Sequence, residues 1–379
     1  MGFKTEVLKK LDSLVGRGAS HISRFLFTPR KEPDLVCKKI LVIRPGGIGD
    51  AVLLYPALSS LRASFKDSRI DVLAERRNAG ILKGCPYVDR VFQYDVNPPF
   101  ELLKVIRTDY DMVIDTEQWH RLSAVTAYLT GAPVRVGFDT NRERKKLLTH
   151  PVSYSQDEYE VYSFLKLVSK VTGIEYGFDK ESPFLPVGKD LVVRFGRTID
   201  DFRKRWDALA GVFSGATVRE RRWGIERFSM LSKELSKEGI GTVLVGGRED
   251  VGDAKRFKEA LSGIEFLNFV GKTTLLETAA IISQLDLFIS SDTGLMHIAY
   301  GVGTPTVSLF GAGIQRKWAP PGRNHVVINK GLPCSPCTKF GYTPGCPYGV
   351  RCLGEITVGE VKERVVELLS KIRMARQGH

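Results

Sequence analysis

The chain has 379 residues, 43% of them hydrophobic and 26% charged, with 56 Lys and Arg against 43 Asp and Glu for a formal net charge of +13. That length suffices for two domains with separate cores, the composition is that of a soluble globular protein, and no stretch approaches the roughly 18 apolar residues a membrane-spanning helix needs. A basic excess of this size fits a polyanionic partner, whether nucleic acid, an anionic membrane surface or phosphorylated small molecules, and fits equally a surface that is basic only for solubility.

Residues 1–36 read as a leader. Phe3, Val7, Leu8, Leu11, Leu14 and Val15 recur at helical spacing among Lys4, Lys9, Lys10 and Arg17, the pattern of a basic amphipathic helix that either lies on an anionic membrane or packs on the protein's own flank. Charges run through the first 30 residues, which argues against a secretory signal. From Lys39 the pattern becomes strands alternating with helices, as in an open parallel sheet. Strands are expected at 39–44, 69–75, 89–94 and 110–115, with helices over 50–65 and 121–130. Two prolines and a glycine in ESPFLPVGKD (181–190) mark the expected linker. Alternation then resumes, with strands at 209–213, 241–247, 264–269, 286–291 and 304–311 and helices over 225–238, 254–261, 275–284 and from Gly294. The last helix, 357–372, carries Val361, Val365, Leu368, Leu369 and Ile372 on one face.

Sheets of this kind bind ligands beyond the carboxyl ends of their strands, so the turns there are where chemistry is sought. RPGGIGD (44–50) follows the first strand. Its glycines permit a tight turn and close approach of the backbone to a ligand, and the helix start beyond offers free amides. The spacing is neither a dinucleotide fingerprint nor a P-loop. Asp50 reads as a helix cap or as a carboxylate able to take a proton from a substrate hydroxyl. SSDTGLMH (290–297) places hydroxyls, free amides and His297 at one helix start, an arrangement suited to a diphosphate or explained by capping and a buried histidine. SGATVRERRW (214–223) sets Arg219, Arg221 and Arg222 beside a small-residue turn, as for phosphate oxygens or a solvated basic loop. Finally, Cys334, Cys337, Cys346 and Cys352 fall as C-x2-C-x8-C-x5-C. Four thiols at this density fit a structural zinc site, with free thiols and disulfides as the alternatives.

Together, in order and spacing, ILVIRPGGIGDAVLLYPAL, DMVIDTEQWHRLSAVTAYLTGAPVRVGF, FSGATVRERRWGIERF, VLVGGRED and DLFISSDTGLMHIAYGVGTPTVSLFGAG resemble the bacterial heptosyltransferases of lipopolysaccharide synthesis, glycosyltransferase family 9, over about residues 39–370. The resemblance implies an α/β protein of the GT-B fold, two Rossmann-like domains facing across a cleft. Residues 37–185 would receive the acceptor and residues 186–356 the nucleotide sugar, while 357–379 would return to pack on the first domain. It implies an inverting transfer of heptose or a related sugar from a nucleotide-diphosphate donor, commonly ADP-heptose, to a lipopolysaccharide-core or other cell-envelope glycan.

In that reading Asp50 matches the family's catalytic base. Asp292, Thr293, Gly294 and His297 match its motif around the diphosphate and sugar, and Ser214, Gly215, Thr217 and Arg221 complete the donor site. Arg221, Arg222 and Trp223 stand where the family has K-R-W, the charge kept but the geometry changed. Glu249 or the adjacent Asp250 falls at the ribose position. Gly47 and Gly49 with Arg121, Arg142 and Arg144 are the acceptor-side expectation, the arginines fitting acidic sugars or phosphates or an ordinary solvated loop. No cofactor is implied for catalysis, the zinc read from the cysteine spacing being structural, and the setting implied is the cytoplasm, at the inner face of the cytoplasmic membrane. Competing readings are a GT-B-like nucleotide-sugar epimerase, which needs no acceptor, and a basic nucleic-acid-binding protein, for which no reading motif is present.

Overall fold

In a computed structural model the chain forms two compact units, divided between Phe178 and Asp179, a few residues before the expected linker. The structure describes residues 37–93 and 100–377, so the leader expected over 1–36 lies outside the described residues. The unit boundary falls in the stretch from 173 to 188, which contains neither helix nor strand.

The first unit holds one all-parallel sheet of six strands: β1 Lys39–Arg44, β2 Arg69–Ala74, β3 Arg90–Gln93, β4 Met112–Asp115, β5 Val134–Phe138 and β6 His150–Val152, in the order β3-β2-β1-β4-β5-β6. β1 pairs with β2 on one side (Ile43↔Leu73) and with β4 on the other (Ile43↔Asp115). The second unit repeats the plan with β7 Ala208–Phe213, β8 Ile240–Leu244, β9 Leu267–Asn268, β10 Leu287–Ser291, β11 Thr306–Phe310 and β12 His325–Asn329, in the order β12-β11-β10-β7-β8-β9. Each sheet has the classic doubly wound order, in which the first strand of the half lies beside the fourth. The expected two Rossmann-like domains are therefore present.

Strand sequences such as KILVIR and LFISS are buried over nearly their whole length, as parallel strands covered on both faces must be. β5, β6 and β12 were not expected. The single helix expected over 50–65 is two, Ile48–Leu53 and Tyr55–Ser64, because Pro56, which has no N–H to give, starts a new helix at its first turn.

The last helix, Val358–Gln377, was expected on the first domain. Its apolar face instead completes the core of the second unit: Val361, Val365, Leu368 and Leu369 pack with Trp223, Phe228, Leu231 and Leu235. Polar ties support that docking, among them Lys362 to Glu238 at 2.6 Å, Lys330 to Glu360 at 2.6 Å and Arg373 to the Asp207 carbonyl at 3.0 Å. Among the described residues no helix is long and apolar enough to cross a membrane.

Candidate functional site

Where strand order reverses, the loops after the two central strands diverge and leave a crevice. In the first unit these are the loops after β1 and β4, and the first carries Asp50. Gly46 turns the chain at φ +107°, Gly47 occupies the helix cap with no side chain to offer, and Asp50 falls in the first turn. Capping is therefore not its role. Its Oδ1 lies 3.7 Å from Arg44 Nη1 and accepts from Gln118 Nε2 at 3.2 Å. A Cβ at Gly47 would come within 2.9 Å of Oδ2, so glycine at 47 leaves room for that oxygen. The side chain remains 22% exposed.

Beneath Asp50 is a buried ionic layer that the sequence reading missed. Arg44, 1% exposed, donates to the carbonyls of Pro45 (2.6 Å) and Thr116 (2.9 Å) and to Glu117 Oε2 (3.2 Å). Burial pulls its pKa down, but Asp50, Glu117, Glu160 and Asp115 outweigh that and raise it, so the guanidinium stays charged. Burial likewise works against the Glu117 carboxylate, yet His120, Arg44, Arg144 and the Trp119 amide hold its pKa below the ordinary value. Gln118 Nε2 also donates to Glu160 Oε1 at 2.6 Å, and Glu160 Oε2 accepts from Tyr154 OH at 3.0 Å. Glu117 and Gln118 lie just past β4, and a search for acids at both switch-point loops would have found Glu117.

The acceptor-side arginines separate. Arg144 is fully buried and donates to Phe138 O, Ser123 Oγ, Asp115 Oδ2, Glu117 O and His120 O. The expectation that it contacts acceptor is corrected: a guanidinium spent on five internal acceptors ties the loops after β4 and β5 together. Arg121 is 7% exposed, 3.7 Å from Glu143, and Arg142 is exposed. Gly47 and Gly49 flank Asp50 in the turn and first helical turn.

In the second unit the corresponding loops follow β7 and β10. Ser214–Thr217 follows β7, and Gly215 is so close to Asp250 and Phe213 that a Cβ there would meet them at 2.5 and 2.7 Å. Past β10, Thr293 caps the helix Gly294–Gly301 without a side-chain hydrogen bond. The buried hydroxyls of Ser291, Thr293 and Ser308 have no partner, whereas buried polar groups in proteins are normally satisfied. A polar ligand at this helix start would satisfy the Thr293 hydroxyl. Arg221 Nη1 lies 3.0 Å from Asp292 Oδ2 and its Nη2 is 3.5 Å from Thr338 Oγ1, so Arg221 is aimed at the same helix start. Arg222 instead braces the turn through Ala216 O (2.8 Å). His297 is buried edge-on to Trp318, ring centroids 6.3 Å apart. Of the two acids after β8, Asp250 accepts from the Gly247 amide at 2.9 Å and Glu249 is exposed.

The geometry adds no support to the zinc expectation. Among the described residues no three His, Cys, Asp or Glu side chains are arranged to hold a metal ion, and all four cysteines of the loop are free. Cys352 is buried against Gly311, where a Cβ would lie 2.7 Å from its sulfur. Cys346 Sγ accepts from the Val350 amide at 3.4 Å, and Cys334 is exposed. The thiols remain neighbours: burial first, then Cys346, Cys334 and Cys337 raise the Cys352 pKa. The loop's role visible in the structure is mechanical, as the amides of Cys337 and Thr338 both donate to Ala312 O at 3.1 and 3.0 Å.

The sequence model of glycosyltransferase family 9 (heptosyltransferase) matches residues 100–344. Lipopolysaccharide heptosyltransferase 3 of Escherichia coli is 26% identical over 304 residues, covering 73% of this chain and 85% of the relative. Lipopolysaccharide heptosyltransferase 1 of Pseudomonas aeruginosa is 23% identical over 330 residues, 79% of this chain and 86% of the relative. Among solved structures, the E. coli ADP-heptose lps heptosyltransferase II superimposes with TM-score 0.69 at 23% identity, covering 88% of this chain and 99% of the other. A family 9 glycosyl transferase of Veillonella parvula gives 0.71 at 20%, covering 90% and 99%.

Proposed function

The chain belongs to glycosyltransferase family 9, the heptosyltransferases, and on that premise we propose that it transfers heptose from ADP-heptose to a lipopolysaccharide-core or other cell-envelope glycan, with inversion at the anomeric carbon and Asp50 as general base. The observation that carries the reading is the asymmetry of Asp50. One oxygen is engaged by Gln118 and faces Arg44, while the other borders a glycine turn at the switch point. An acceptor hydroxyl hydrogen-bonded to Oδ2 loses its proton there as its oxygen attacks the anomeric carbon. The C–O bond to the diphosphate breaks in the same displacement, and ADP leaves.

Stabilising that leaving group is the work of the second unit. The free amides at the start of Gly294–Gly301, the Thr293 hydroxyl and Arg221 offer positive potential and donors to the diphosphate. Asp292 keeps Arg221 in place. We assign the diphosphate and sugar to Asp292, Thr293, Gly294 and His297, the turn Ser214, Gly215 and Thr217 to the phosphates, and the ribose to Glu249, since Asp250 is used by its own loop. On the acceptor side Gly47, Gly49, Arg121 and Arg142 remain assigned to an anionic glycan. The net charge of +13 supports work at the inner face of the cytoplasmic membrane.

Product analysis tests the proposal. Incubated with ADP-heptose and a lipopolysaccharide lacking core heptose, the protein is expected to yield ADP and a heptosylated acceptor in which the new linkage has the configuration opposite to the donor's. Consumption of ADP-heptose with no sugar on the acceptor, or a retained configuration, would contradict it.

A further inference from the structure

Glu160 is fully buried at the start of the helix Glu160–Thr172 and no chemistry assigned above uses it. Its two oxygens accept from Gln118 Nε2 at 2.6 Å and Tyr154 OH at 3.0 Å. The same Gln118 nitrogen reaches Asp50 Oδ1 at 3.2 Å. An amide nitrogen has two hydrogens, and here each faces a carboxylate. Flipping the amide would turn its carbonyl oxygen towards both acids, so the orientation is fixed by charge.

We propose that Gln118, locked by Glu160 and Tyr154, is a positioning residue for Asp50: it selects Oδ1 as the anchored oxygen, leaves Oδ2 to the substrate, and separates two carboxylates that would otherwise compete for a proton. The proposal rests on Asp50 being the base. The groups around Asp50 make the need concrete. Arg44 from the end of β1 faces it at 3.7 Å, whereas Asp115 at the end of β4, Glu117 just beyond and Glu160 from the helix are acids bearing on that same arginine. Tyr154 feels the same field: burial first, then Glu160, Asp50 and Glu117 raise its pKa, so it stays a neutral donor. Like charges without a donor between them drive one acid to protonate, and a protonated Asp50 takes no proton from substrate.

The test is the pH profile of transfer from ADP-heptose to heptose-deficient lipopolysaccharide. In Gln118→Met the acidic limb is expected to move up by about one pH unit, with kcat at the plateau about tenfold lower and affinity for ADP unchanged. Gln118→Glu, matched in size, moves the limb at least as far, and it carries the test if Gln118→Met does not fold. In the double variant Gln118→Met with Glu160→Gln the limb returns towards wild type while kcat stays low, a recovery that a merely structural role would not produce. Profiles of both Gln118 variants that overlay wild type would overturn the proposal. The two readings fail separately: turnover retained in Asp50→Asn removes the base itself, whereas an inert Asp50→Asn with unmoved Gln118 profiles removes only the positioning role.

Discussion

Gly47 shows how a single missing Cβ can make room for a neighbour, here the carboxylate we propose as base. Its backbone is ordinary extended conformation, φ −75° and ψ 160°, so alanine is allowed there and the cost falls on the neighbour, the Asp50 carboxylate 2.9 Å from the new carbon. Gly47→Ala is expected to lower kcat roughly 10- to 100-fold, as misplacing a reacting group does, with a change in stability under about 1 kcal/mol. Steady-state kinetics beside a urea melt check both halves. Arg144 is the opposite case. Its guanidinium and the Asp115 carboxylate, 2.9 Å apart, are both fully buried. Arg144→Ala strands that charge and is expected to destabilise the protein by about 3–5 kcal/mol, read as a fall in the denaturation midpoint. The sequence made Asp50 legible because a glycine turn between strand and helix is a local signal. It misassigned Arg144 because NRERKK reads as a uniform basic run, and only the fold reveals which of its residues turns inward.

Elements were legible in proportion to how local their signals are. β1, β4, β8 and β10 stood out as apolar runs between turns, and β9, LN, fell inside the strand expected at 264–269, whereas β6, HPV, is too short to show any period. β12, HVVIN, was missed although it completes the edge beside β11. That strand carries a pH dependence. His325 Nδ1 lies 3.0 Å from the Thr306 hydroxyl, and burial, only partly opposed by Glu181, lowers its pKa to about 4. The unfolded chain takes up a proton near the ordinary histidine value while the folded chain does not. The neutral ring therefore costs nothing above about pH 6.5, and stability is lost as pH falls from there towards 4, by up to about 3 kcal/mol. Urea melts between pH 7 and 4.5 are expected to show this slope, and His325→Asn to flatten it. The last helix teaches a related lesson: its apolar face was evident, but a periodic face does not name its partner. Trp223 Nε1, bonded to Ile356 O at 2.9 Å just before the helix, belongs to the contacts that do.

At the scale of the whole molecule, one plan is used twice. Each unit places the loops we assign to the site after the first and fourth strands of its own sheet, so the glycine turn carrying Asp50 and the turn Ser214–Thr217 are equivalent places in two sheets of the same order. One holds a carboxylate over buried arginine and the other presents free amides, unpartnered hydroxyls and Arg221. That division predicts separable losses. Arg221→Ala is expected to weaken ADP binding about tenfold or more, as loss of a charge-assisted contact does, and to shrink the thermal shift ADP produces.

The most direct measurement of the central claim is single-turnover transfer from ADP-heptose by Asp50→Asn, alongside ADP titration of the same protein. Asparagine keeps the size of the side chain and cannot accept the proton. The account predicts ADP affinity within about twofold of wild type and a transfer rate lower by a factor of about 10³ or more. Transfer at near the wild-type rate would contradict it.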